Sequence, residues 1–149
     1  MTETDPQTIA EAAADAMFEK DNASRALGMA IEEVRPGYAR LTMTVREDMV
    51  NGHAICHGGL IFTLADSAFA FGCNSYNKAT VASGCEIAFV APAKLGDRLT
   101  AECRERVLRG RSGVYDIDVT NQDGETIAFF RGKSRQIKGE IVPGLTAVG

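Results

Sequence analysis

Asp66 is the residue whose position most needs a chemical explanation. From Met49 to Asn77 it is the only side chain with a full charge at neutral pH, and His53 and His57 are the other titratable imidazoles. A charge inside a prospective core helix is costly unless it is paired, hydrogen-bonded or used. The segment Asn51-Gly-His-Ala-Ile-Cys-His-Gly-Gly59 leads straight into that helix. It supplies a carboxamide, two imidazoles, a thiol and paired glycines. Each group also has a purely structural use. Asp66 could hold a backbone amide or a buried arginine, and Asn51 and His57 could satisfy loop backbone groups. Gly58-Gly59 could allow close packing. Ser67 reads as packing, because no Ser–His arrangement is legible, and Cys56 reads as a structural thiol.

Metal chemistry is poorly served. His53, Cys56 and His57 could supply two or three ligands, yet no second cluster closes a zinc site. The four cysteines, at 56, 73, 85 and 103, lack a Cys-x-x-Cys pair. They read as free and mostly buried thiols. A net charge of −4 and a pI near 5.2 argue against a nucleic-acid binder. The longest apolar run, Gly58 to Cys73, is too short and too interrupted to span a membrane. The acidic opening of the chain carries no secretion signal, so a cytoplasmic location is expected.

At 149 residues, 45% apolar and 24% charged, the chain is large enough for one well-filled domain. Asp5-Pro6 reads as an N-cap and first helical residue, with Ile9, Ala12, Ala13, Ala16 and Met17 at helical spacing over 6–20. Residues 1–22 form a helical extension, and a short turn over 22–27 closes at Gly28. Strands follow at 29–35 and 38–45, joined by Pro36-Gly37, with Ala39, Leu41, Met43 and Val45 on one face. Residues 58–76 read as a helix apolar nearly all round, hence buried.

Thereafter the pattern is β. Val81, Ser83, Cys85, Ile87 and Phe89 read as one face, and 98–108 and 126–137 as further strands. Hairpins are expected at Arg109–Gly113 and Asp123-Gly124. Residues 138–149 read as a tail. The expected fold is α+β, an antiparallel sheet curled around one long central helix.

Taken together, Asn51-Gly-His53, His57-Gly-Gly59, Leu64-Ala-Asp66-Ser-Ala68, Phe89-Val-Ala-Pro92 and Gly96-Asp97 resemble the hotdog-fold acyl-CoA thioesterases, in particular the phenylacetic-acid-degradation branch. The resemblance covers roughly residues 25–137. It implies hydrolysis of aryl- or arylacetyl-CoA thioesters without a cofactor, coenzyme A being part of the substrate. It assigns the polarising amide to Gly58 and the carboxylate to Asp66, with Asn51 orienting and His57 shaping the loop. Residue chemistry agrees. Thioester hydrolysis needs donors for an oxyanion and a carboxylate that attacks or deprotonates water. A helix N-terminus offers unpaired N–H groups and a favourable dipole, and glycine permits close approach.

Gly59, Ser83 and Gly84 join Arg109 and Arg111 as candidate substrate or coenzyme A contacts, the two arginines being equally readable as a solvated turn. Relatives with Glu at the Asp66 position, or with threonine where this chain has Ala70, leave attack and water activation both open. Gly58 and Asp66 lie eight residues apart on one helix, about 12 Å at roughly 1.5 Å per residue. They cannot act on one carbonyl within one chain, so a homodimer with shared sites is expected, with a dimer of dimers beyond it. Two rivals remain: a hotdog enoyl-CoA hydratase or dehydratase using His57 and Asp66, and a non-catalytic acyl-CoA-binding protein.

Overall fold

The computed structural model describes residues 3–147. Two elements create its core: a helix, α3 (Gly58–Cys73), and the antiparallel sheet that closes over it. The helix buries Ile61, Leu64, Ala65, Ala68, Phe69, Phe71, Gly72 and Cys73, so its apolar surface extends around most of its circumference. A helix of this kind must be covered on several sides. It contacts all six strands of the large sheet. In order across the sheet these are β2 (Ala30–Arg35), β3 (Tyr38–Thr44), β5 (Arg98–Arg109), β6 (Ser112–Thr120), β7 (Thr126–Glu140) and β4 (Lys78–Phe89).

Period-two alternation supplies the sheet side of the core. Ala39, Leu41, Met43 and Val45 are fully buried, as are Leu99, Ala101 and Cys103 on β5 and Tyr115, Ile117 and Val119 on β6. Phe69 packs its ring against both Tyr115 and Phe130. Gly132 on β7 faces the same ring, and a Cβ there would lie 2.6 Å from it. The turns use the expected residues: Gly37, Gly110 and Gly124 all have positive φ.

Several expectations need correction. The long helix stops at Cys73, because Asn74 caps it: its side chain donates to the Ala70 carbonyl and accepts the Thr80 N–H. On β4, Val81 does not share a face with Cys85, Ile87 and Phe89. A bulge at Ser83 shifts the register between Ala82 and Gly84, so Val81 faces out with Arg135 while Cys85 pairs with Gly132 on the helix side. Alternation in sequence does not reveal an inserted residue.

The first helix, α1 (Pro6–Lys20), has its Asp5 cap but buries Ile9, Ala10, Ala13 and Ala14. That face is offset from the one suggested by Ala12, Ala16 and Met17. A short α2 (Asn22–Ala26) follows. The supposed tail is structured: β7 runs on to Glu140, and β8 (Thr146–Ala147) pairs in parallel with β1 (Glu3–Thr4). Asn77, at φ 63°, clamps the segment between, donating to the carbonyls of Val142 and Leu145 and accepting the Val142 N–H. Residues 1–2 and 148–149 lie outside the described residues.

The Phe69 contact makes Gly132 a packing requirement. Gly132→Ala is expected to lower stability by about 1–3 kcal/mol through overpacking, measured by urea denaturation. Wild-type stability in that variant would show that the ring moves aside freely.

Candidate active site

The loop before α3 is stitched at both ends before any substrate arrives. The Asn51 N–H donates to the Ile55 carbonyl, and Asn51 Oδ1 accepts the His53 N–H at 2.9 Å. The Cys56 N–H reaches the Ala93 carbonyl, and the His57 N–H the Met49 carbonyl. The facing loop is held by Asp97, whose carboxylate accepts the Lys94 N–H and the Gln122 amide. Those two donors hold the Asp97 carboxyl below its ordinary value. Gly96-Asp97 therefore acts as a brace for the wall that contains Pro92.

His57 caps α3. Its Nδ1 accepts the Gly59 N–H at 2.9 Å, which places the imidazole proton on Nε2. Leu60 and Ile61 donate to the His57 carbonyl. The Gly58 N–H is left with no acceptor among the described residues. A pocket of about 330 Å³ opens at this point, lined by Asn51, Cys56, Gly58, Ile61, Phe89 and Pro92 among others. Phe89 stands so close to Gly58 that a Cβ there would lie 3.1 Å from the ring. The pocket thus offers an unpaired amide at a positive helix end. Asn51 Nδ2, also without a partner among the described residues, lines the same pocket.

Asp66 lies two turns further along α3, in none of the pockets that include Gly58. It is half-buried, and among the described residues its carboxylate has no hydrogen bond or ion pair. Burial alone pushes its pKa upward. Phe62 and Phe69 flank it at helical spacing, and both pack on Phe130. Cys85 approaches from β4, its thiol held up by burial and by the Asp66 charge. A carboxylate in this setting is neither capped nor bridged, so the structural alternatives for Asp66 are not realised among the described residues.

The other candidates separate clearly. Asn51, His57 and Gly58 come together. The Gly59 amide is consumed by the cap, and Ser83 sits at the β4 bulge, donating to the Lys133 carbonyl. Gly84 beside it has open space where a side chain would be. Ser67 is tied to Ser24 at 3.0 Å, and Cys56 is buried with its thiol pushed up. Arg109 and Arg111 are not near Gly58: they flank the β5–β6 turn at the other end of α3, about 22 Å away at roughly 1.5 Å per residue. Among the described residues no three His, Cys, Asp or Glu side chains converge as a metal centre would require. Phe89 and Cys85 were missed as site residues. Phe89 stood in a recognised motif without a role, and only the bulge turns Cys85 toward Asp66.

Comparisons with known proteins identify the family and the fold. The family described as "Thioesterase superfamily" matches residues 53–128. The acyl-coenzyme A thioesterase PaaI of Escherichia coli K12 is 50% identical over 128 residues, covering 86% of this chain and 91% of that protein. The structure of the E. coli PaaI protein from the phenylacetic acid degradation operon superposes with a TM-score of 0.89 at 48% identity, covering 90% of this chain and 97% of that one. A Streptococcus mutans protein, smu.793, solved with acetyl CoA bound, has a TM-score of 0.72 at 26% identity, covering 75% and 90%. With its sheet folded around α3 and these matches over most of its length, the chain belongs to the thioesterase superfamily and is a thioester hydrolase of the hotdog fold.

Proposed function

We propose that the protein hydrolyses aryl- or arylacetyl-CoA thioesters to the free acid and coenzyme A, with Asp66 as the reacting carboxylate. The observation that carries this reading is the half-buried Asp66 carboxylate, desolvated and without a partner among the described residues. Its surroundings, Phe62 and the helix-facing side of β4, suit a flat aromatic acyl group. The named role of the E. coli relative and its operon of phenylacetic acid degradation support the same substrate class.

In this scheme the thioester oxygen accepts the Gly58 N–H, and Asn51 orients the reacting group or its water. Two routes balance. Asp66 can add to the carbonyl carbon, expelling the thiolate and leaving an anhydride that water cleaves. Alternatively it takes a proton from water as the hydroxide adds and the C–S bond breaks. Either way the thiolate leaves and is protonated. Single turnover in ¹⁸O water distinguishes them, since only the anhydride route can place label in the Asp66 carboxyl.

The two halves of this site come from two chains in the proposal. β4 is a twelve-residue strand at the sheet edge with Val81, Phe89 and the following Val90 exposed. Long exposed edges of this kind template pairing with another chain. Antiparallel pairing of two β4 edges runs the two α3 helices in opposite directions, which would bring Gly58 of one subunit toward Asp66 of its partner. A dimer of dimers and a cytoplasmic location complete the proposal. No helix in the described residues is long and apolar enough to cross a membrane.

Asp66→Ala is expected to cut thiol release by a factor on the order of 10²–10⁴ with assembly intact. Retention of a tenth of wild-type turnover would overturn the role. Because the carboxyl must be ionised and burial raises its pKa, kcat/KM should fall with decreasing pH at a point above the ordinary Asp value of about 3.9. A profile flat down to that value would contradict the assignment.

The same shift has a stability consequence with a definite sign. A carboxyl whose folded pKa is raised makes folding less favourable as pH climbs from its unfolded to its folded pKa, and the penalty persists above that. Asp66→Asn should therefore raise Tm at pH 7, with the gain disappearing at pH 3. An Asn variant that melts lower at pH 7 would mean that the carboxylate is stabilising.

A further inference from the structure

β4 and α3 run in opposite directions, and their contacts set them level with each other step by step. Gly58 lies beside Phe89: a Cβ on Gly58 would stand 3.1 Å from the Phe89 ring. One turn on, Phe62 packs edge-on against Phe130 at 5.2 Å between ring centroids, and Phe130 is the ladder partner of Ile87. Further along, Phe69 lies over Gly132, the ladder partner of Cys85. The two spacings agree. From Gly58 to Asp66 the helix rises about 12 Å at roughly 1.5 Å per residue. From Phe89 back to Cys85 the strand spans about 13 Å at roughly 3.3 Å per residue. Gly58 is therefore level with Phe89, and Asp66 with Cys85, whose thiol is held up by burial and by the Asp66 charge. Cys85, Ile87 and Phe89 share the helix side of β4, as alternate residues of a strand do.

The outer edge of β4 is unpaired among the described residues, and Phe89 is 55% exposed there. A second copy of this chain fits that edge, because the amide at Gly58 and the carboxylate at Asp66 meet at one carbonyl only if they come from separate chains. That requirement fixes the register. For Gly58 to stand level with Asp66 of the partner subunit, Phe89 must lie opposite Cys85 of the partner subunit, and the two-fold axis must pass through Ile87. Neighbouring registers fail on physical grounds. A one-residue slip would put the two helices on opposite faces of the joined sheet. A two-residue slip moves the partner helix by about 7 Å. In one direction it also sets Glu86 against its own copy, a like-charge pair. The bulge at Ser83 and Pro92, which has no N–H to donate, close the ladder at its two ends.

We propose, on the shared-site reading of Gly58 and Asp66, that two copies of the chain join along β4 with the two-fold axis at Ile87, so that Phe89 of each subunit faces Cys85 of the partner subunit. This facing pair is the sheet-side wall of each reaction centre, between the amide of one subunit and the carboxylate of the other.

Disulfide trapping in the full-length protein tests the register, because opposed residues on antiparallel strands have Cα atoms about 4.5–5.5 Å apart, within disulfide range. Under copper phenanthroline oxidation, Phe89→Cys is expected to give a covalent dimer joined through native Cys85, seen on a non-reducing gel and mapped by peptide mass spectrometry. The wild type and Phe89→Cys/Cys85→Ser should stay uncrosslinked, since each position then stands about 13 Å from its own copy. Ile87→Cys/Cys85→Ser should crosslink to its own copy, which decides the register should the Phe89 variant fold poorly. In the kinetic arm, oxidised Phe89→Cys should hydrolyse thioester more slowly, by a factor on the order of 10², than the same protein after reduction and removal of the reductant. Absence of a covalent dimer from both Phe89→Cys and Ile87→Cys/Cys85→Ser overturns the register, as does a dimer of Phe89→Cys/Cys85→Ser bridged through its own position 89. A bridged protein with unchanged turnover overturns the placement of this pair at the reaction centre. Failure of the thioesterase reading would show separately, as no thioester loss with the wild type, and would leave the crosslinks to decide the pairing.

Discussion

One α-helix cannot bring its own N-terminus to its ninth residue, and this rigidity governs the whole molecule. Among the described residues Gly58 offers the helix-end amide of α3 that the His57 cap leaves without an acceptor, while Asp66 carries its carboxylate two turns away. A rise of roughly 1.5 Å per residue keeps them about 12 Å apart. Local features serve one or the other position. The cap and the stitched loops expose the amide. The aromatic packing of Phe62 and Phe69 on Phe130 flanks the half-buried, partly desolvated carboxylate.

Holding Asp66 there costs stability, since nothing among the described residues compensates its charge. The surrounding core offsets that cost with tight packing. Gly72 and Gly132 let Cys103 and Phe69 approach the opposing backbone, so α3 is held firmly where its charge is least welcome. Functional sites commonly carry such local strain within an otherwise consistent fold. The β4 edge of the sheet, unpaired among the described residues, leaves room for the second chain that the proposed shared site requires.

Much of the architecture was legible in the chain. The buried helix showed in its all-round apolarity, and β3, β5 and β6 showed in clean alternation that burial confirms. The cluster Asn51–Gly58 was legible too, because its parts are close in sequence and loop hydrogen bonds are local. Three features were not. The Ser83 bulge leaves the residue types of β4 undisturbed while reversing their faces. The face of α1 depends on what it packs against, and its alanines are too uniform to mark one stripe. The 141–147 segment is ordered by Asn77, more than sixty residues away, and no local pattern encodes that clamp.

The sequence by itself determined which groups are available to the proposed chemistry, and that one straight helix keeps Gly58 and Asp66 too far apart to meet at one carbonyl. Those conclusions follow from residue identity and helix rise, both local quantities. Only the tertiary structure decided that the Gly58 amide and the Asp66 carboxylate have no partner among the described residues, that Phe89 lines the Gly58 pocket while Cys85 stands near Asp66, and that Arg109 and Arg111 lie at the opposite end of α3. These depend on strand register and on which side chains meet across the sheet. Contacts between residues distant in the chain are set by packing, and packing is not written in any local run of residues.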